Sequence, residues 1–261
     1  VGVLLVAALP ANKVGWDEEV HFEQSFWISN YRQISHISDS IYQEFIPSLD
    51  NWPFSQPGTA EEQAALNGYL DATGDYKNGP IGWSSDLNKT TMTGYVGTSL
   101  FLFIGQLLGM PFSMLFRFGR LGNLLVYSVI MFFAIRKTPV GKGILTFIGL
   151  MPTPLFLAGV YSYDPTVTAF LSLSFAFMLK EILTPETKIR WRDFIIIVAA
   201  FIFGCRIKAV YAPLLLIALL IPREKFKDKR QMLLMRGIVC AAVVFLILGF
   251  MLPVIFSPSE T

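Results

Sequence analysis

Of 261 residues, 53% are hydrophobic and only 15% carry charge, where a soluble domain has roughly 25% charged. The deficit excludes an ordinary soluble domain and points to an integral membrane protein. A net charge of +2, with no basic arm or basic-aromatic motif, excludes nucleic acid as a partner. Cys205 and Cys240 lie inside apolar runs without CxxC spacing and read as small buried hydrophobes.

The apolar run 1–10 falls short of the roughly 20 residues a spanning helix needs. It has neither a basic n-region nor a small-residue cleavage site, so it is expected to be a truncated first transmembrane helix. Residues 11–118 are expected to form a long extracytoplasmic loop carrying interfacial helices. Within 29–45, Ile34, Ile37, Ile41 and Phe45 recur at helical spacing and predict an amphipathic helix. Thr59 with Glu62 three residues on is a capping box opening a second helix. Asn88-Lys89-Thr90 fits a glycosylation sequon, a triplet common by chance. From Tyr95 the chain is nearly all apolar. Helices are predicted at about 95–111, 119–136, 142–160, 164–183, 193–205, 208–221 and 233–255, and residues 119–261 are expected to form a transmembrane bundle.

Lys and Arg favour the cytoplasmic side. If every predicted helix crosses, with the long loop outside, the cluster "REKFKDKR" (223–230) also falls outside. If 95–111 lies or dips at the outer face instead, 13 of the 21 basic residues fall in three short inner connections. The second arrangement satisfies the rule and gives about seven crossings. It places the turn "YSYDP" (161–165) and "CRIKAVY" (205–211) on the same outer face as Asp17, Glu18 and Glu19.

That face holds the candidate chemistry. Trp16 and Phe22 flank the three acids and would hold them at the interface, although acids there can also serve as a solvated helix cap. His21 stands four residues after Asp17 and shares its helical face, which suits a metal ligand, an oriented base or a structural histidine. Asp164 precedes Pro165, as an N-cap or a loop carboxylate. Arg206 and Lys208 interrupt two apolar runs almost without a loop. Cations at that depth either snorkel to headgroups or pair with an anion, and phosphate suits the Arg fork and the Lys point charge. Arg117 and Arg120 extend the basic surface. A carboxylate that takes a hydroxyl proton, with cations for a departing phosphate, fits group transfer from a lipid-linked phosphate.

The stretches "WDEEVHF", "RFGRLGNLLVYSVIMFFAIRKTP", "LMPTPLFLAGVYSYDP" and "RIKAVYAPLLLIALLIP" resemble a family of predicted bacterial membrane proteins with a domain of unknown function. In layout that family is similar to the GT-C superfamily of polyprenyl-phosphate-sugar glycosyltransferases. The resemblance implies an all-α integral membrane fold of about seven transmembrane helices, with a long first loop outside the bacterial cytoplasmic membrane. It implies a polyprenyl-phosphate-linked sugar as donor and a glycan or envelope polymer as acceptor, with membrane lipids around them. Asp17 would activate the acceptor, and Glu18 would bind metal or substrate. Arg206, Lys208, Asp164, Arg120 and His21 would contact substrate. The acids read Asp-Glu-Glu rather than Asp-x-Asp, which leaves a divalent metal open as cofactor. The alternative is a non-catalytic transporter, flippase or scaffold for lipid-linked glycans. Such a carrier should show broken helices and polar groups near mid-membrane.

Overall fold

The computed structural model describes residues 1–11, 15–29, 32, 59–79 and 92–256. Among these residues every regular element is helical and none is a strand. In chain order the α-helices are α1 (Gly2–Ala8), α2 (Glu18–Ser29), α3 (Ala60–Thr73), α4 (Val96–Leu107), α5 (Phe112–Lys137), α6 (Lys142–Gly149), α7 (Pro152–Ala158), α8 (Asp164–Leu183), α9 (Trp191–Cys205) and α10 (Lys229–Phe256). Short 3-10 segments occupy Met92–Tyr95, Ala209–Leu220 and Arg223–Lys225. The amphipathic helix expected within 29–45, beyond Ser29 and Arg32, and the sequon at Asn88 lie outside the described residues.

Three of these helices are long and apolar enough to cross a bilayer: α5, α8 and Lys229–Met251 of α10. The helix expected at 142–160 is instead two short ones. Pro152 lacks an N–H to continue the ladder, and Met151 before it is extended, at φ −60 and ψ 150, so α6 stops and α7 starts afresh. The segment expected at 208–221 is a 3-10 helix containing Pro213. At about 1.5 Å per residue, α4 is some 18 Å long, well short of the ~30 Å hydrocarbon core.

Two compact units divide the chain. The first comprises Val1–Tyr127 with Leu150–Thr166, and the second Ser128–Gly149 with Val167–Thr261. The first is built on an aromatic core. The Phe22 ring lies 4.8 Å from Phe116, 5.0 Å from Tyr161 and 5.6 Å from Phe26, with all four side chains buried. Around it, α4 packs closely on α5: a Cβ on Gly97 would come within 2.8 Å of the Gly122 carbonyl oxygen. Small residues at such a crossing let two helix backbones approach without lipid between them.

Polar contacts join the remaining pieces of this unit. The Ser25 and Thr98 hydroxyls share a hydrogen bond at 2.7 Å, and Gln106 donates to Ser29 Oγ at 2.7 Å, so α2 and α4 are stitched along their length. The capping box predicted at Thr59 is present, with both reciprocal bonds made. At the far end of α3, Asp71 accepts from the Ser113 backbone N–H at 2.8 Å and from its hydroxyl at 3.1 Å. It thereby satisfies an otherwise orphaned donor in the first turn of α5.

In the second unit α8 packs on α9. Ser174 donates to the Ile197 carbonyl at 2.7 Å, and the Phe170 and Phe203 rings pack at a tilt with centroids 4.5 Å apart.

Candidate functional site: an acidic and aromatic cluster carried on a buried ion pair

The first unit's site grows out of one buried carboxylate. Glu18, in the first turn of α2, is 0% exposed and faces Arg120 of α5, also 0% exposed. The guanidinium grips it with both arms, Nε to Oε1 at 2.8 Å and Nη2 to Oε2 at 3.0 Å, and Nη1 donates to the Pro10 carbonyl at 2.6 Å. Each Glu18 oxygen takes a further backbone donor, Tyr161 N–H on Oε1 and Gly15 N–H on Oε2, both at 2.9 Å. The Arg120 guanidinium lies 4.7 Å from the centre of the Phe116 ring. A buried charge pair is tolerable only when its remaining lone pairs and protons are satisfied, and this arrangement supplies partners on both sides.

Three chain segments far apart in sequence are thereby fixed together: the start of α2, the first half of α5 and the turn 159–164. Asn123, one turn along α5 from Arg120, completes the hold. Its amide donates to the carbonyls of Val160 at 2.8 Å, Ser162 at 3.1 Å and Leu157 at 3.4 Å, satisfying the open end of α7. Tyr161 adds a bond from its hydroxyl to the Phe116 carbonyl at 2.8 Å.

The turn so held delivers Tyr163 and Asp164 to His21. The His21 ring meets Tyr163 edge-on, with centroids 4.9 Å apart, and its Nδ1 shares a 2.7 Å hydrogen bond with the Tyr95 hydroxyl. Tyr95 and Tyr163 stand 6.1 Å apart, so three rings wall one side of the cluster. Burial pushes the His21 pKa down from the ordinary imidazole value. The charges of Asp164, Asp17, Glu18 and Glu19 pull it back up, Asp164 most strongly. Burial, with help from Tyr163 and Asp164, raises the Tyr95 pKa well above the usual phenol value, so Tyr95 keeps its proton.

Asp17 is exposed at the rim, beside exposed Trp16. Its backbone has φ 52, and it is the one described non-glycine residue with positive φ. This conformation is uncommon, though aspartate tolerates it better than most residues, and such strain persists only where the surroundings enforce it. Gly15, buried and bonded to Glu18, and Glu18 itself supply that enforcement on either side of Asp17.

Of the residues expected from the sequence, Asp17, Glu18, His21, Arg120 and Asp164 all belong to this one unit. Glu18 and Arg120 face each other in its interior, while Asp17 lies at the surface. Arg206 and Lys208 belong to the second unit. Arg206 is the exposed C-cap of α9, and Lys208 is half-buried at the edge of an apolar groove formed with Pro213, Ile247 and Phe250. Tyr95, Tyr163 and Asn123 were not foreseen. The pair of tyrosines in "YSYDP" was the available signal, because aromatic residues on both sides of a turn pack in different directions.

Among the described residues, no group of three or more His, Cys, Asp or Glu side chains is gathered to hold a metal ion. No curated protein and no solved structure matches the chain. The sequence profile of the predicted membrane proteins DUF2142 matches residues 1–258, and the chain belongs to that family.

Proposed function

We propose that the chain is the core of a membrane glycosyltransferase that moves a sugar from a polyprenyl-phosphate donor to an extracytoplasmic glycan or envelope acceptor. The observation that carries this reading is an exposed carboxylate, Asp17, held at a positive φ beside the buried Glu18–Arg120 pair and one helical turn before His21, whose ring meets Tyr163 and bonds to Tyr95. Aromatic faces suit the C–H faces of a sugar, and carboxylates suit its hydroxyls.

In the proposed step, Asp17 takes the proton of an acceptor hydroxyl as its oxygen attacks the anomeric carbon. The bond from that carbon to the donor's phosphate oxygen breaks, and polyprenyl phosphate leaves with the electron pair, inverting the centre. Asp164 and His21 bind sugar hydroxyls. Glu18 and Arg120 position the turn that carries Asp17 and do not touch substrate. Arg206 and Lys208 are assigned the lipid phosphate as a separate element of the proposal, with its own test. The gathered side chains do not form a ready metal site, and no step is routed through one. The seven crossings of the GT-C arrangement, and a first loop outside the bacterial cytoplasmic membrane, belong to this proposal.

Two observations favour the carrier alternative. The break at Pro152 and the 3-10 segment around Pro213 are the kind of discontinuity that lines transport pathways. Asp17→Asn separates the two readings. In liposomes containing glycosylated polyprenyl phosphate and a glycan acceptor, a transferase loses about a hundredfold or more of its turnover, the scale of a general base. A carrier moves its lipid unchanged. Native mass spectrometry tests the phosphate assignment: Arg206→Ala/Lys208→Ala should lose a co-purifying polyprenyl phosphate that the wild type retains.

A further inference from the structure

A second site lies in the second unit, just beyond the ends of two candidate membrane spans. The C-terminal end of α8, the connection 184–190, the first turn of α9 and Lys227 enclose a cleft. Five cations line it, Lys180, Lys188, Arg190, Arg192 and Lys227, against two carboxylates, Glu181 and Asp193. The carboxylates are already taken. Asp193 receives Lys180 at 2.6 Å and Arg192 Nε at 3.2 Å, while Glu181 faces Lys180 at 3.4 Å and the buried Lys225 at 2.8 Å.

What remains is positive charge on a fixed frame. Lys225, 0% exposed, donates to the Thr184 carbonyl at 2.8 Å and to Thr187 Oγ1 at 3.2 Å, and its own carbonyl accepts from Ile189 N–H at 2.8 Å. Lys188 ties the same two connections together through the carbonyls of Glu224 at 2.7 Å and Phe226 at 3.0 Å. Buried Ile189 and Phe226 anchor the backbone immediately before exposed Arg190 and exposed Lys227. The Lys227 N–H is held in turn by Gln231 at 2.7 Å. Arg192 commits Nε to Asp193 and extends the rest of its fork outward, being 69% exposed. Two connections between helices need no such lattice merely to turn the chain. Its effect is to hold several cations at one place against their mutual repulsion.

The height of the cleft names the ligand. α8 ends as a span at Leu183 and α10 begins at Lys229, so the cleft sits where lipid headgroups lie, with Trp191 at its rim as an interfacial side chain. We propose that this cleft binds the phosphate headgroup of an anionic membrane lipid, with Arg190, Arg192 and Lys227 as its contacts. The inference is independent of the glycosyltransferase reading.

The test is native mass spectrometry of the full chain in neutral detergent, with phosphatidylglycerol and phosphatidylcholine added in equal amounts. Wild type should prefer phosphatidylglycerol. Arg190→Ala/Lys227→Ala should lower that preference by about thirtyfold, each basic residue at a membrane surface being worth about a factor of five. Arg190→Lys/Lys227→Arg, which keeps the charge, should retain most of it. Both positions are exposed and outside the Lys225 lattice, so folding is not at stake. An unchanged preference in the double alanine variant overturns the proposal. So does a wild type that shows no preference while inorganic phosphate binds and is lost in the same variant, because the anion would then be soluble rather than a lipid.

Discussion

Arg120→Met removes one side of the Glu18 pair and strands the other in the interior. The carboxylate keeps the Gly15 and Tyr161 N–H groups but loses both charged bonds, at 2.8 and 3.0 Å, and the Pro10 carbonyl loses its donor. Breaking a buried pair by deleting one partner costs about 3–5 kcal/mol, a large part of the roughly 5–15 kcal/mol that holds a typical domain folded. Arg120→Lys keeps the charge without the two-armed geometry and should fall between wild type and Met. In a double-mutant cycle with Glu18→Gln the coupling should reach about 2–3 kcal/mol, the upper end for residues in contact. The assay is equilibrium unfolding in mixed micelles titrated with a denaturing detergent and followed by tryptophan fluorescence. Amide hydrogen exchange at Tyr161 and Tyr163 should accelerate in parallel, because Glu18 holds that turn. Single losses under about 1 kcal/mol that simply add would refute a clamp.

Three further outcomes follow from the same geometry. Asp17→Gly relieves a positive φ and should raise stability by about 1 kcal/mol while abolishing turnover, a pairing seen by running the unfolding and transfer assays on one preparation. The folded-state pKa of His21 lies below its unfolded value of about 6.5, so its contribution to stability is complete above that pH and is lost as the pH falls through the window beneath it. A stability profile from neutral pH downward should show that slope in wild type and not in His21→Gln. Gly122→Leu should separate α4 from α5, since even a Cβ there meets Phe101 and the Gly97 backbone. A loss of about 1–3 kcal/mol is expected, read as a lower melting temperature.

The membrane character, the capping box at Thr59 and the helix 164–183 could be read from the chain because each depends on neighbours in sequence. The break in 142–160 was signalled by Pro152 and Pro154, but the apolar run around them outweighed that signal. The ladder needs N–H groups, which hydropathy does not register. Charge placement across the membrane led to the expectation that Asp17, Asp164, Arg206 and Lys208 share one outer face; the structure describes Asp17, His21 and Asp164 within the first unit and the two cations within the second. The means of gathering the first three was not anticipated. From the sequence Glu18 and Arg120 were expected to contact metal or substrate, and nothing paired them with each other. Only packing around Phe22 and Phe116 takes them to zero exposure and turns them into a fastener for the turn that carries Tyr163 and Asp164. Asn123 similarly reads as a stray polar residue in a spanning helix until the three carbonyls at and just beyond the end of α7 are placed opposite it.

The most direct test of the proposed function is the release of polyprenyl phosphate from its glycosylated form by the purified full chain in liposomes with a glycan acceptor, compared between wild type and Asp17→Asn. The account predicts release that depends on the acceptor in wild type and falls about a hundredfold or more in Asp17→Asn, with the donor still bound. Equal release by both proteins, or none by wild type while the lipid crosses the bilayer intact, would contradict it.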